Sequence, residues 1–116
     1  MSATGLLPLD QFNFHQTLSV TRGVSLVFFT SQACSSCRLW RHLLSHYRQQ
    51  DPDLTLYEVD AQRDMALTRE FEVFHLPALF LYRDGDFHGN LQCEARIENL
   101  ALAIQAALAA PAQELP

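Results

Sequence analysis

Val24-Ser25-Leu26-Val27-Phe28-Phe29-Thr30 is a short apolar run rich in β-branched and aromatic residues, and Ser31-Gln32-Ala33-Cys34-Ser35-Ser36-Cys37 follows it directly. The run has no polar alternation, the pattern of a strand buried on both faces at the centre of a sheet. From Ser36 the apolar residues Leu39, Trp40, Leu43, Leu44 and Tyr47 recur at helical spacing, with Arg38, Arg41, His42, Ser45 and Arg48 opposite, until Asp51-Pro52 ends the pattern. A central strand thus hands over to an amphipathic helix, and Cys34 and Cys37 lie at the handover. In a first helical turn, side chains three apart share a face, so the two sulfurs come within bonding distance. The unpaired amides and the helix dipole stabilise a thiolate on Cys34, bringing such a thiol to about 3.5–7.5 rather than near 8.5. Cys34 is then the nucleophile and Cys37, deeper in the helix, the resolving thiol.

Working outward, a first helix is expected from Asp10, a candidate N-cap, through Phe12, Phe14 and Leu18 to about Ser19. Leu54 to Val59 reads as a second strand and Asp64 to Glu72 as a short helix. Ala78 to Tyr82 is a third strand, joined through a turn at Asp84-Gly85 to a fourth at Phe87 to Leu91. Ile97, Leu100, Ala101, Ile104 and Leu108 give a closing helix. This order implies an α/β fold with a central mixed sheet of about four strands flanked by four helices, parallel inside with one antiparallel edge. No internal repeat is visible, and residues 1–116 read as a single domain with its core at about 8–108 and a frayed tail over 109–116.

A chain of 116 residues with 48% apolar content fills one core. Its net charge of −5 repels phosphate backbones and anionic lipid, so neither nucleic acid nor membrane is expected as a partner. All eight cations are arginines. Without lysine there is no Schiff base, no pyridoxal phosphate anchor and no Walker-type phosphate loop. The N-terminal stretch Met1 to Asp10 lacks the charged start and apolar run of a secretory signal, and no window approaches a membrane span. Three cysteines are too few for a disulfide scaffold, which fits a cytoplasmic protein whose thiols do chemistry.

Taken alone, one Cys-x-x-Cys admits redox work, metal binding or idle thiols. For metal, His42 and His46 follow too soon: finger-type sites separate the two pairs by about a dozen residues so that the chain folds back on the ion. Four ligands strung along one helix do not close a tetrahedron, and both histidines are read as solvated. No metal and no cofactor is expected.

Three features, spanning roughly residues 8 to 108, resemble the thioredoxin family. They are Ser25-Leu26-Val27-Phe28-Phe29 leading into the Cys-x-x-Cys, Val59-Asp60 about two dozen residues later, and Phe74-His75-Leu76-Pro77-Ala78-Leu79-Phe80 ahead of Asp84-Gly85. The resemblance implies a cis peptide bond at Pro77, facing the cysteine pair, with Leu76 and Pro77 contacting substrate. It implies a thiol-disulfide oxidoreductase working through Cys34 and Cys37 on a disulfide-containing protein or small thiol substrate, recycled by a reductase not identified from sequence, and acting as a monomer.

The departures from the family bear on function. Its usual Trp-Cys-Gly-Pro-Cys is here Ala33-Cys34-Ser35-Ser36-Cys37; its buried aspartate beneath the resolving cysteine falls on Phe28, and the accompanying lysine on Leu56. Burial without a carboxylate raises the Cys37 thiol and slows resolution of a mixed disulfide. These replacements also permit a redox-weak binding or adaptor module as the alternative. His75 falls where glycine is common, beside the pair, and either favours the Cys34 thiolate or relays a proton, or is a surface histidine with no such role. Arg38 is read as solvated. Cys93 falls at the rim of the substrate surface, either as a semi-buried thiol ending the edge strand or as a third redox thiol.

Overall fold

In the computed structural model, which describes residues 5–116, nine elements follow one another: β1 (Leu6–Leu9), α1 (Phe14–Ser19), β2 (Val24–Thr30), α2 (Ser35–Gln50), β3 (Thr55–Asp60), α3 (Met65–Glu70), β4 (Ala78–Arg83), β5 (Asp86–Leu91) and α4 (Ile97–Ala109). The first four residues of the stretch read for a leader lie outside the described residues.

The sheet has five strands in the order β1-β3-β2-β4-β5, one more than the sequence pattern showed. The additional strand, Leu6-Leu7-Pro8-Leu9, pairs parallel to β3, Leu6 opposite Leu56 and Leu9 opposite Val59. Its proline confines it to an edge, where a missing amide donor costs least. Asp10, expected as a helix cap, instead caps a turn: its Oδ1 accepts from the amides of Phe12 and Asn13, and the helix begins only at Phe14. Phe12, assigned to that helix from sequence, is 86% exposed.

β2 is the middle strand, parallel to β3 and antiparallel to β4, which is antiparallel to β5. Half of the sheet is therefore antiparallel, where a single antiparallel edge was expected. Successive β2 side chains point to opposite faces. Leu26 and Phe28 enter one core with Trp40 and Leu44 of α2 and Leu100 and Ile104 of α4. Val27 and Phe29 enter the other with Phe14 and Leu18 of α1 and Leu67 of α3. Both cores are continuous with β2, whose residues from Ser25 to Thr30 are all buried.

At Asp84 and Gly85 the backbone takes φ of 51° and 88°, the left-handed pair of a two-residue hairpin turn. A Cβ on Gly85 would come 2.6 Å from the Ser19 carbonyl oxygen, so glycine is required there by space as well as by φ. Asp84 Oδ1 in turn accepts from the Gly23 amide at 2.8 Å, fastening the hairpin to the start of β2. Beyond α4 the chain has no regular structure, but the tail read as frayed is tethered: the Gln113 amide donates to the His88 carbonyl at 2.8 Å, and Gln113 Oε1 accepts from the Asn90 amide at 3.0 Å. No helix among the described residues is long and apolar enough to cross a membrane.

Candidate active site

β2 ends at Thr30 and a short loop delivers Cys34 to the N-cap of α2, with φ −87° and ψ 105°. Its sulfur accepts from the Cys37 amide at 3.2 Å, so the capping position that usually holds a serine or aspartate oxygen holds sulfur. Cys34 and Cys37 are joined as a disulfide. The two ends of this bond differ in environment. Cys34 is half-buried at the rim, whereas Cys37 is 3% exposed and packs with Phe28 and Trp40. The Ser36 hydroxyl lies 3.6 Å from the Cys34 sulfur, placing a second donor beside the sulfur that would carry negative charge on reduction.

The loop Phe74 to Pro77 faces this helix start. The Leu76-Pro77 peptide is cis, as the resemblance implied. Ser31, Ala33, Cys34, Ser35, Ser36, Phe74, His75 and Leu76 line one recess, so His75 stands on the Cys34 side of the pair. Phe74 is 84% exposed there, a large apolar side chain on the rim next to the small Ala33. A larger recess, about 690 Å³, adjoins it through Ser31, Ala33, Cys34 and Ser35 and is lined further by Thr30, Gln32, Cys37, Arg38 and Arg41.

Cys93 packs against the same core as Cys34 and Leu76, two residues beyond β5, and is a free thiol. Burial pushes this thiol up from its ordinary value, which works against nucleophilic reactivity at neutral pH. His42 and His46 are exposed on α2, as read from sequence. No group of three or more His, Cys, Asp or Glu among the described residues is placed to hold a metal ion. Phe28 and Leu56 are both 0% exposed in the core beneath Cys37, so hydrocarbon lines the positions where the family resemblance puts the aspartate and lysine.

Two charged residues gain a setting that the sequence did not show. Arg41, read on the polar face of α2, lies one turn after Cys37 and pairs with Glu58 of β3. Its guanidinium stands 5.7 Å from the Phe28 ring centroid, within cation-π range. Glu58 is directly opposite Phe28 in the parallel register, which puts both side chains on the α2 face.

Comparison with known proteins agrees with this geometry. The thioredoxin family model matches residues 5–106. Thioredoxins of Chlamydia pneumoniae and Chlamydia trachomatis are similar, at 25% identity over 58% of this chain and 26% over 66%. The matched segments span 66% and 74% of those proteins, respectively. Among solved structures, thioredoxin f2 of Chlamydomonas reinhardtii superposes with a TM-score of 0.77 at 22% identity, covering 87% of this chain and 94% of that one. Oxidised mitochondrial thioredoxin 3 of Saccharomyces cerevisiae gives 0.76 at 21%, covering 89% and 96%. With the Cys-x-x-Cys at the start of α2, the cis-proline loop opposite it, and a family match running from β1 into α4, the chain belongs to the thioredoxin family.

Proposed function

We propose that this protein is a thiol-disulfide oxidoreductase acting on a disulfide in a protein or a small thiol compound. The observation that carries the reading is the asymmetry of the pair: Cys34 is accessible at a helix N-cap, with Cys37 buried three residues on and within bonding distance. In the reduced protein the Cys34 thiolate attacks one substrate sulfur, forming a mixed disulfide and expelling the other as a thiolate. Cys37 then attacks the Cys34 sulfur, the Cys34–substrate bond breaks, and the second substrate thiolate leaves. The substrate gains two electrons and the protein is left as the Cys34-Cys37 disulfide.

Leu76 and Pro77 supply the backbone and apolar surface against which an extended substrate strand lies, and His75 sits on the attacking side of the pair. A separate reductase must return two electrons per cycle. The net charge and the paired thiols fit a monomer working in the cytoplasm. A redox-inert adaptor is not favoured, because such a role does not call for a sulfur at the cap with two donors aimed at it.

The test is a Cys37→Ser variant, in which the mixed disulfide on Cys34 has no intramolecular exit. Incubation of the reduced variant with oxidised glutathione and with a cell extract should yield adducts at Cys34 that dithiothreitol releases. A Cys34 that stays unmodified under both conditions refutes the reading.

A further inference from the structure

Resting on that reading, we infer that the substrate is an extended polypeptide segment whose cysteine stands between an acidic and a basic residue, read by a groove that is cationic at one end and anionic at the other. Three recesses make the groove. The middle one holds Cys34 together with Phe74, His75 and Leu76. One outer recess adjoins it through Ser31, Ala33, Cys34 and Ser35 and carries Arg38 and Arg41. The other, about 380 Å³, adjoins it through Phe74 and His75 and carries Glu72 and Glu114. The two outer recesses have no residue in common, and the strand order separates them. Arg41 pairs with Glu58 of β3 on one flank of β2, whereas Leu91 of β5 lines the second recess on the other flank.

The charges at the two ends are free to meet a ligand. Arg41 is neutralised by Glu58, which leaves Arg38 as the cation of its recess; it is exposed and has no ion-pair partner among the described residues. Glu72 and Glu114 are likewise exposed, and neither is in an ion pair. Glu72 is set at the end of α3 by its amide, which donates to the Arg69 carbonyl at 3.0 Å. Glu114 is brought to the recess by its neighbour Gln113, bonded to His88 and Asn90. Phe80, Phe87, Leu91 and Pro116 give the same recess an apolar lining. Carboxylates around an apolar lining suit arginine or lysine, whose hydrocarbon stem packs while the charged head stays at the acids.

An extended polypeptide advances about 3.3 Å per residue, so side chains two or three residues from its cysteine are carried about 7–10 Å to either side. With the sulfur at Cys34 and the backbone across Leu76-Pro77, residues on the α2 side meet Arg38 and those on the other side meet Glu72 and Glu114. Because a polypeptide has a direction, the two charges are read in one order along it.

The experiment uses the full chain, reduced, and two end-blocked peptides of the same composition and zero net charge, each a homodimer joined through its single cysteine. One carries glutamate two residues before the cysteine and arginine two residues after it; the other carries them in the reverse order. Released peptide thiol is quantified by chromatography, and each rate is divided by the rate with dithiothreitol to remove the peptides' own reactivity. An exposed ion pair changes an equilibrium by up to about fivefold. Two such positions, matched in one order and opposed in the other, should separate the normalised rates by about tenfold at low ionic strength. The separation should shrink in about 0.5 M salt, where exposed charges are screened. Glu72→Gln combined with Glu114→Gln should lower the ratio about threefold, and Arg38→Gln should lower it similarly. The ratio is read within one protein, so lost folded material does not alter it. Equal normalised rates for the two orders in the unsubstituted protein, or a ratio that survives either set of substitutions, overturns the inference, while reduction of both peptides keeps the oxidoreductase reading. Both peptides left intact by the reduced protein refutes that reading itself.

Discussion

Replacing Ser36 by alanine removes one donor from the Cys34 sulfur and little else. The hydroxyl is 3.6 Å from Cys34 Sγ, on an exposed residue of the first turn of α2, and the Cys37 amide at 3.2 Å remains as the second donor. A hydrogen bond to a charged acceptor is worth about 1.5–3 kcal/mol, and this one is long and solvated, so a loss near the bottom of that range, about 1.4 kcal/mol, is expected. That equals about one pH unit for the Cys34 thiol. It equals about 30 mV for the two-electron couple. The sign follows from which state the bond favours: the hydroxyl stabilises the thiolate and hence the reduced protein. Ser36→Ala should therefore raise the Cys34 pKa and make the pair more strongly reducing. Thiolate absorbance against pH in a Cys37→Ser background measures the first quantity, and equilibration with glutathione the second. Ser35→Ala is the control, since its hydroxyl makes no hydrogen bond to either sulfur among the described residues. Unchanged values in Ser36→Ala, or an equal shift in Ser35→Ala, would refute the assignment of the hydroxyl as a thiolate donor. The wild-type pair should itself be less reducing than about −270 mV, the value for a thioredoxin.

Alkylation of the reduced protein at pH 7 should modify Cys34 far faster than Cys93, whose thiol burial pushes up, and peptide mapping of a short iodoacetamide pulse reads the ratio. Phe28→Asp should cost about 3–5 kcal/mol in a denaturation curve, because an aromatic side chain with no exposed surface is exchanged for a carboxylate that must be desolvated. The same variant should speed resolution; a less stable protein that resolves no faster would show that proton transfer at Cys37 is not limiting. Burial raises the Tyr82 phenol above its ordinary value of 10.0, so between the two values the folded chain holds a proton that the unfolded chain has lost. Stability should accordingly fall as pH rises above about 10. Tyr82→Phe should flatten that limb of a stability-against-pH curve.

The parts of this fold legible in the sequence are those whose signal is local. Val24–Thr30 has no polar face to orient, and α2 repeats its buried Cys37, Trp40, Leu44 and Tyr47 at three- and four-residue steps. β1 escaped because four residues containing Pro8 carry no periodicity, and its pairing partner β3 lies some fifty residues away. Strand direction escaped for a related reason: Ala78–Arg83 is equally apolar whether it runs parallel or antiparallel to β2, and only the path of the preceding loop decides. Phe12, two residues after a candidate N-cap, reads as part of the helix until the turn at Asp10 is seen. Near the start of α2, the Cys34–Cys37 pairing and the cis Leu76-Pro77 peptide were legible because each sits in a motif. Arg41 and Glu58 were not, since their meeting depends on the register that sets Glu58 beside Phe28.

The tether at Gln113 changes what the last residues mean for the solution behaviour of the molecule. β5 is an outer strand, and its outward amides and carbonyls would otherwise offer a template on which a second sheet could grow. Gln113 occupies that template twice, through its amide on His88 and its side chain on Asn90, and it lies so close over Gly89 that a Cβ there would come 3.1 Å from its side-chain carbon. Residues outside every helix and strand thus act as a guard against edge-to-edge association. A chain shortened to Ala110 would keep its cysteines and its fold while gaining a sticky border, and a glycine in a strand, ordinarily a weakness, is here the seat that lets the guard lie flat.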